Sequence, residues 1–171
     1  MLEIEVKIKI EDLKSIAEKI KALGAEVDKA RHFEKNTLYD FASRELHAKN
    51  HALRLRMVNK KSFLTFKGAK QKSRKFKIRE EYETEVKNGK QAKKILKSLS
   101  LQPVFEYSKY RTVFKKKKLK ICLDETSIGT YLELEGEQNE IVKFAKALHL
   151  QKKDFITKDY IELIKETKDL K

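Results

Sequence analysis

Apolar and charged residues alternate along much of this chain with a period of two, which places them on opposite faces of extended strands. In the opening segment Leu2, Ile4 and Val6 share one face and Glu3, Glu5 and Lys7 the other. That alternation predicts a strand from Leu2 to Ile10. At Asp12 the period changes to that of a helix, with Leu13, Ile16, Ile20 and Leu23 on one side and Gly24 placed to close it. Further extended segments follow from about Val27 to Phe41, over Ala52 to Met57, Ser62 to Lys67 and Phe76 to Val86. Asn88-Gly89 reads as a turn, and Ile95, Leu96 and Leu99 as a short helix ahead of the single proline, Pro103. Strands at Val104 to Lys115, Leu119 to Asp124 and Tyr131 to Glu137 come next, then helices near Ile141 to Leu148 and Lys158 to Lys168.

Eight or so strands with few helices and short connections predict an α+β protein whose antiparallel sheet closes into an eight-stranded β-barrel flanked by amphipathic helices. No Gly-rich linker interrupts the chain, so residues 1–171 are expected to form a single domain.

The polar faces are unusual. By alternation they carry Glu3, Glu5, Lys7 and Lys9; Arg54 and Arg56; Thr65 and Lys67; Arg79, Glu81, Glu83 and Glu85; Lys109 and Arg111; Glu133 and Glu135. Turned outward, such charges make surface ion pairs worth about 0–1 kcal/mol each. Turned inward, each costs several kcal/mol to desolvate unless paired, hydrated or metal-bound, which only a wet functional tunnel accommodates. Alternation alone leaves both arrangements open. The opposite faces are apolar as well, Leu53, Leu55 and Met57 for example, and they would need helices outside a barrel to cover them.

Composition narrows the partners. The 171 residues carry 41 Lys and Arg against 26 Asp and Glu, a formal net charge of +15, which favours anionic ligands. The absence of any apolar run of about 18 residues argues against a membrane partner, and the charged opening strand against a leader, so a cytoplasmic location is expected. Cys122 is the only cysteine, which excludes an internal disulfide. The run Lys115 to Lys118 suits a solvated turn between strands. His47 and His51 have the i,i+4 spacing of a zinc pair, but their polar surroundings read as a connection, and His32 and His149 read as structural.

An ordered series of motifs resembles the CYTH family, the triphosphate tunnel metalloenzymes that include class IV adenylate cyclases and thiamine triphosphatases. It begins with Glu3-x-Glu5-x-Lys7 and runs through Asn36-Thr37-Leu38-Tyr39-Asp40, Ala52-Leu53-Arg54-Leu55-Arg56, Thr65-Phe66-Lys67-Gly68 and Arg79-Glu80-Glu81-Tyr82-Glu83. Lys109-Tyr110-Arg111, Leu123-Asp124-Glu125, Gly129 to Gly136 and Lys158-Asp159-Tyr160 continue it. The resemblance implies a tunnel in which Lys7, Arg54, Arg56, Lys67, Arg79, Lys109, Arg111 and Lys158 grip a triphosphate. It implies metal ligands among Glu3, Glu5, Glu81, Glu83, Asp124, Glu133 and Glu135, with Glu3, Glu5, Lys7, Glu133 and Glu135 as the catalytic set.

These residue types suit that chemistry. Mg²⁺ or Mn²⁺ takes oxygen ligands, arginine binds phosphoryl oxygens in forked fashion while lysine acts as a point charge, and phosphoryl transfer needs positioning more than a protein nucleophile. Lys120 shares the parity of Asp124 and would turn an extra lysine inward unless a bulge resets the strand, which counts against Asp124 as a metal ligand.

The expected function is a divalent-metal-dependent triphosphatase. The alternatives are an adenylate cyclase making cyclic AMP and pyrophosphate, and a non-catalytic module binding polyphosphate or nucleic acid. Nucleic acid is the less expected partner, because the basic stretch from Lys70 to Lys77 carries only Phe76 as a stacking ring.

Overall fold

The computed structural model describes residues 2–73 and 75–169. Among them, eight antiparallel strands close into a barrel in the order β1-β5-β4-β3-β2-β6-β7-β8. The strands are β1 (Leu2–Ile10), β2 (Glu26–Asp40), β3 (Ala52–Val58), β4 (Lys61–Lys67), β5 (Lys77–Val86), β6 (Gln102–Lys116), β7 (Leu119–Thr126) and β8 (Gly129–Glu135). The helices are α1 (Leu13–Ala22), α2 (Glu45–Ala48), α3 (Gly89–Ser98), α4 (Gln138–Ala147) and α5 (Tyr160–Asp169). The architecture is the one that the alternation predicts.

The elements begin and end for local reasons. The Asp12 side chain accepts the Ser15 N–H at 2.9 Å and opens α1. Gly24, at φ +77°, closes it by donating its N–H to the Lys21 carbonyl. Asn88 is not the first half of a turn but the cap of α3, its side chain accepting from the N–H groups of Lys90 and Gln91. The helix therefore starts at Gly89, where a Cβ would run into the Ser62 side chain. The polar connection after β2 contains the short helix α2, which the hydrophobic pattern does not announce. Asp40 organises it, one carboxylate oxygen accepting from the N–H groups of Phe41 and Leu46 and the other from His47. The helix ends at Ala48, so His47 and His51 do not share it, and His51 instead packs its ring edgewise against Phe66.

Two compact units make up the chain, each with its own core. Phe33–Gln71 and Arg79–Lys109 build the first, where Tyr39, Leu55 and Leu101 pack with Ala92 and Leu96 of α3. Glu3–His32, Lys72–Ile78 and the chain from Tyr110 build the second. There Val6, Ile8, Leu132 and Leu134 pack against Ile16 and Ile20 of α1 and Ile141 and Phe144 of α4. These amphipathic helices cover the apolar face of the strands. Lys116 also ties the end of β6 to the C-terminus of α1 by donating to the Leu23 carbonyl at 2.5 Å.

Register settles which way the charges point. On β1 and β8 the directly opposed pairs are Glu5 with Glu135 and Lys7 with Glu133. On β8 and β7 they are Glu135 with Lys120 and Glu133 with Cys122. Opposed residues of antiparallel strands share a face, so Glu5, Lys7, Glu133, Glu135, Lys120 and Cys122 lie on one face. The apolar Val6, Ile8 and Leu134 lie on the other. The pairing from Lys120 to Thr126 is continuous, so Lys120 keeps the parity of Asp124.

Candidate active site

In the second unit the charged face is deeply buried. Glu5, Lys7, Lys77, Arg111, Asp124 and Glu133 are each at most 6% exposed. Glu5 Oε1 accepts from Lys7 at 2.9 Å and from Lys77 at 2.7 Å. Arg111 donates Nε and Nη2 to the two oxygens of Asp124, and Nη2 also to Glu133 at 3.0 Å. Lys7 lies 3.5 Å from the other Glu133 oxygen, and its ammonium sits 5.1 Å from the centre of the Tyr160 ring. Tyr160 in turn donates its hydroxyl to Asp124 at 2.6 Å, joining α5 to this network.

Burial opposes the charge on Lys7, but Glu133 and Glu5 more than offset it, so its pKa stands above the ordinary lysine value and the ammonium is retained. Burial likewise opposes charge on Arg111, and Asp124 and Glu133 carry its pKa upward. Burial keeps Tyr160 a protonated phenol, and it pushes the Cys122 thiol up to about 11, which makes it an inert neighbour at neutral pH.

In the first unit the register repeats the device. Leu38, Arg54, Thr65 and Glu83 stand side by side across β2, β3, β4 and β5, next to the row Asn36, Arg56, Phe63 and Glu85. Glu83 accepts from Arg56 at 2.8 Å, Thr65 at 2.7 Å and Arg54 at 3.4 Å. Lys67 pairs with Glu81 at 2.5 Å, Arg56 lies 3.5 Å from Glu34, and Lys109 lies 3.8 Å from the other Glu34 oxygen. Burial opposes the Arg54 charge, and the negative potential of Tyr107, Glu81, Glu83 and Glu34 raises its pKa.

The expected site residues divide accordingly. Lys7, Arg111, Glu5, Asp124 and Glu133 meet in the second unit, and Arg54, Arg56, Lys67, Lys109, Glu81 and Glu83 in the first. Glu3 is half-buried on the charged face of β1, while Glu135 pairs with Lys120 at 2.7 Å. Arg79 donates to the backbone carbonyls of Gly68, Asn50 and Lys67. Lys158 is exposed and pairs with Glu166. Glu34 and Lys77 were not among the expected residues, although Glu34 shares the parity of Asn36 and Lys77 that of Arg79. Tyr160 lay within a quoted motif but carries no charge to mark it.

Comparison with known proteins gives this arrangement its context. The model of the CYTH domain matches residues 1–160. The chain belongs to the CYTH family. A Methanocaldococcus jannaschii protein named "putative adenylate cyclase" is 30% identical over 174 residues, covering 95% of this chain and 98% of its own. A similarly named Vibrio parahaemolyticus protein of known structure superposes with a TM-score of 0.88 at 19% identity, over 96% of this chain and 98% of that one. A Hippeastrum structure, described as an adenylyl cyclase candidate with dominant triphosphatase activity, covers 96% of each chain with a TM-score of 0.73 at 20% identity. CYTH proteins bind triphosphates, and the tunnel enzymes of the family generally depend on a divalent metal.

The donors present suit such an ion. Glu5 and Glu135 are directly opposed carboxylates, the first held by Lys7 and Lys77 and the second by Lys120, and they offer the oxygen donors that such an ion takes. Among the described residues no three acidic, histidine or cysteine side chains form a ready cage. Mg²⁺ commonly takes one or two carboxylates and completes its shell with water and substrate phosphates, so this all-oxygen set fits an ion that arrives with the triphosphate.

Proposed function

We propose that this protein is a divalent-metal-dependent triphosphatase acting on an inorganic or organic triphosphate. The observation that carries the reading is the buried lattice of Glu5, Lys7, Lys77, Arg111, Asp124 and Glu133. A fold gains little from six buried charges that well-packed apolar residues could replace, so their retention supports a role in binding a polyanion. The candidate phosphate grips are Lys7 and Arg111 in the second unit and Arg54, Arg56, Lys67 and Lys109 in the first, with Lys158 and Arg79 as outlying candidates. Glu3, Glu5, Glu133 and Glu135 of the second unit would hold the ion with Asp124 as a further ligand, and Glu81 and Glu83 are the candidate ligands of the first. A bound Mg²⁺ or Mn²⁺ would supply neutralisation of the charge on the phosphoryl oxygens. In the hydrolytic reaction a water oxygen bonds to the terminal phosphorus and the bridging P–O bond breaks, giving orthophosphate and the shortened chain. Lys7 and Arg111 keep their protons and stabilise charge on the reacting and leaving oxygens.

A second reading is adenylate cyclase, favoured by the name of the 30%-identical relative. There the ribose 3′-hydroxyl would attack the α-phosphorus and pyrophosphate would leave. Incubation with tripolyphosphate, thiamine triphosphate or ATP plus Mg²⁺ or Mn²⁺ decides between them. The triphosphatase reading expects orthophosphate release that stops with a chelator and in Glu133→Gln. Cyclic AMP with pyrophosphate would establish the cyclase, and full activity of Glu133→Gln would overturn the ligand assignment.

A further inference from the structure

The first unit contains a polar group that its ion pairs leave unused. Asn36 on β2 is 0% exposed, and both its amide nitrogen and its amide oxygen are buried without a hydrogen-bond partner. Buried amides in folded proteins are almost always paired, because an unpaired one forfeits its hydration for nothing. The deficit extends beyond one residue. Arg56, directly opposite Asn36 on β3, has a buried and unpartnered Nε, and so does Arg54 two residues before it on the same face. Three donor groups, the Asn36 amide and the Nε of Arg54 and Arg56, therefore occupy neighbouring positions of one charged face.

We propose that Asn36 is a substrate-contact residue whose amide N–H donates to a phosphoryl oxygen also held by Arg54 and Arg56. This deepens the triphosphate-binding reading and rests on it. The chemistry suits an oxyanion: a phosphate group accepts several hydrogen bonds and donates none at neutral pH, so one such group can take the Asn36, Arg54 and Arg56 N–H groups together. The remaining amide oxygen can take the Arg56 Nε–H once the guanidinium shifts from Glu83 toward the ligand. Charge patterning cannot reveal such a residue because it is neutral. Its amide nevertheless adds a directed hydrogen bond where further cations would only add repulsion.

The test is calorimetric titration of tripolyphosphate and of ATP into wild type, Asn36→Ala and Asn36→Asp in metal-free buffer, with melting temperatures recorded without ligand. Loss of one hydrogen bond to a charged acceptor predicts about tenfold weaker binding in Asn36→Ala. Asn36→Asp keeps the shape but sets a carboxylate against the phosphate, and should lose more. Both ligands should weaken alike, because the contact is to phosphate. The unliganded melting temperature of Asn36→Ala should be unchanged or higher, since the unpaired amide does not support the empty fold.

Wild type binding neither ligand, in this buffer or with Mg²⁺ added, would remove the triphosphate reading and this proposal with it. Wild-type binding with variant affinities within twofold would remove the proposal alone. A loss confined to ATP would place Asn36 against the organic group and overturn the phosphate contact. A lower unliganded melting temperature with unchanged affinity would make Asn36 structural and overturn it as well. If Asn36→Ala does not fold, the isosteric Asn36→Asp carries the same comparison.

Discussion

Arg111 holds both oxygens of Asp124, Nε to Oδ1 and Nη2 to Oδ2, each at 2.6 Å, and the carboxylate is completely buried. With the Tyr160 hydroxyl on the same Oδ2, three donors converge on one carboxylate. Asp124 thus fixes the guanidinium that also reaches Glu133, which makes its evident task the positioning of Arg111. Removing one partner of a buried pair strands the other. Asp124→Ala should therefore cost about 3–5 kcal/mol of stability in urea titrations, and an unchanged midpoint would refute the role given to this pair.

Tyr160 should matter less than Asp124 and through it. Tyr160→Phe keeps the ring near Lys7 and Tyr131 but removes a hydrogen bond to a charged acceptor, so a loss of about 1.5–3 kcal/mol is expected. In the double variant with Asp124→Ala the two losses should fall well short of adding, because both remove one bond. Full additivity by denaturant titration would show that the phenol and the carboxylate act independently.

Glu83 stands where an anion would stand, with Arg54, Arg56 and Thr65 all donating to it. Glu83→Gln keeps the shape and removes the charge that competes with phosphate for both arginines. Tripolyphosphate should then bind about fivefold more tightly in metal-free buffer, equivalent to roughly 1 kcal/mol for a partly solvated pair. Weaker binding in titration calorimetry would mean that Glu83 supports the ligand rather than mimicking it.

Much of this was legible from alternation, because a two-residue period on β1, β5 and β8 names the residues of each face. What it could not say was which face is enclosed: Val6 and Lys7 are equally buried, and only the closed strand order with outer helices explains both. Lys120 illustrates the limit. Its inward parity invited a bulge, yet the register is continuous, because Glu135 directly opposite neutralises it. Cross-strand partners are set by register, which a single strand's pattern does not contain. The Asp12 cap and the Gly24 stop were readable because their signals are local. Helix α2 was not, since Asp40 holds it from the end of the preceding strand. Lys158 belonged to a motif by sequence, but it lies exposed just ahead of α5 and pairs with Glu166.

Cys122 supplies a pH prediction. Burial is the main cause that lifts its thiol from 9.0 to about 11, with Glu133 and Asp124 adding to the effect and Arg111 and Lys120 opposing it. Because the folded pKa lies above the unfolded one, the unfolded chain ionises first as the solution becomes alkaline. The contribution to stability is fully present below pH 9 and is lost as pH rises toward 11, amounting to about 2–3 kcal/mol at the upper end. Cys122→Ala removes this titration, so the difference in unfolding free energy between wild type and variant should slope across that window and be flat below it. Iodoacetamide labelling offers a parallel check. The native thiol should react slowly at pH 8 and at the ordinary rate only in denaturant, whereas rapid native labelling at pH 8 would contradict the enclosed position assigned to β7.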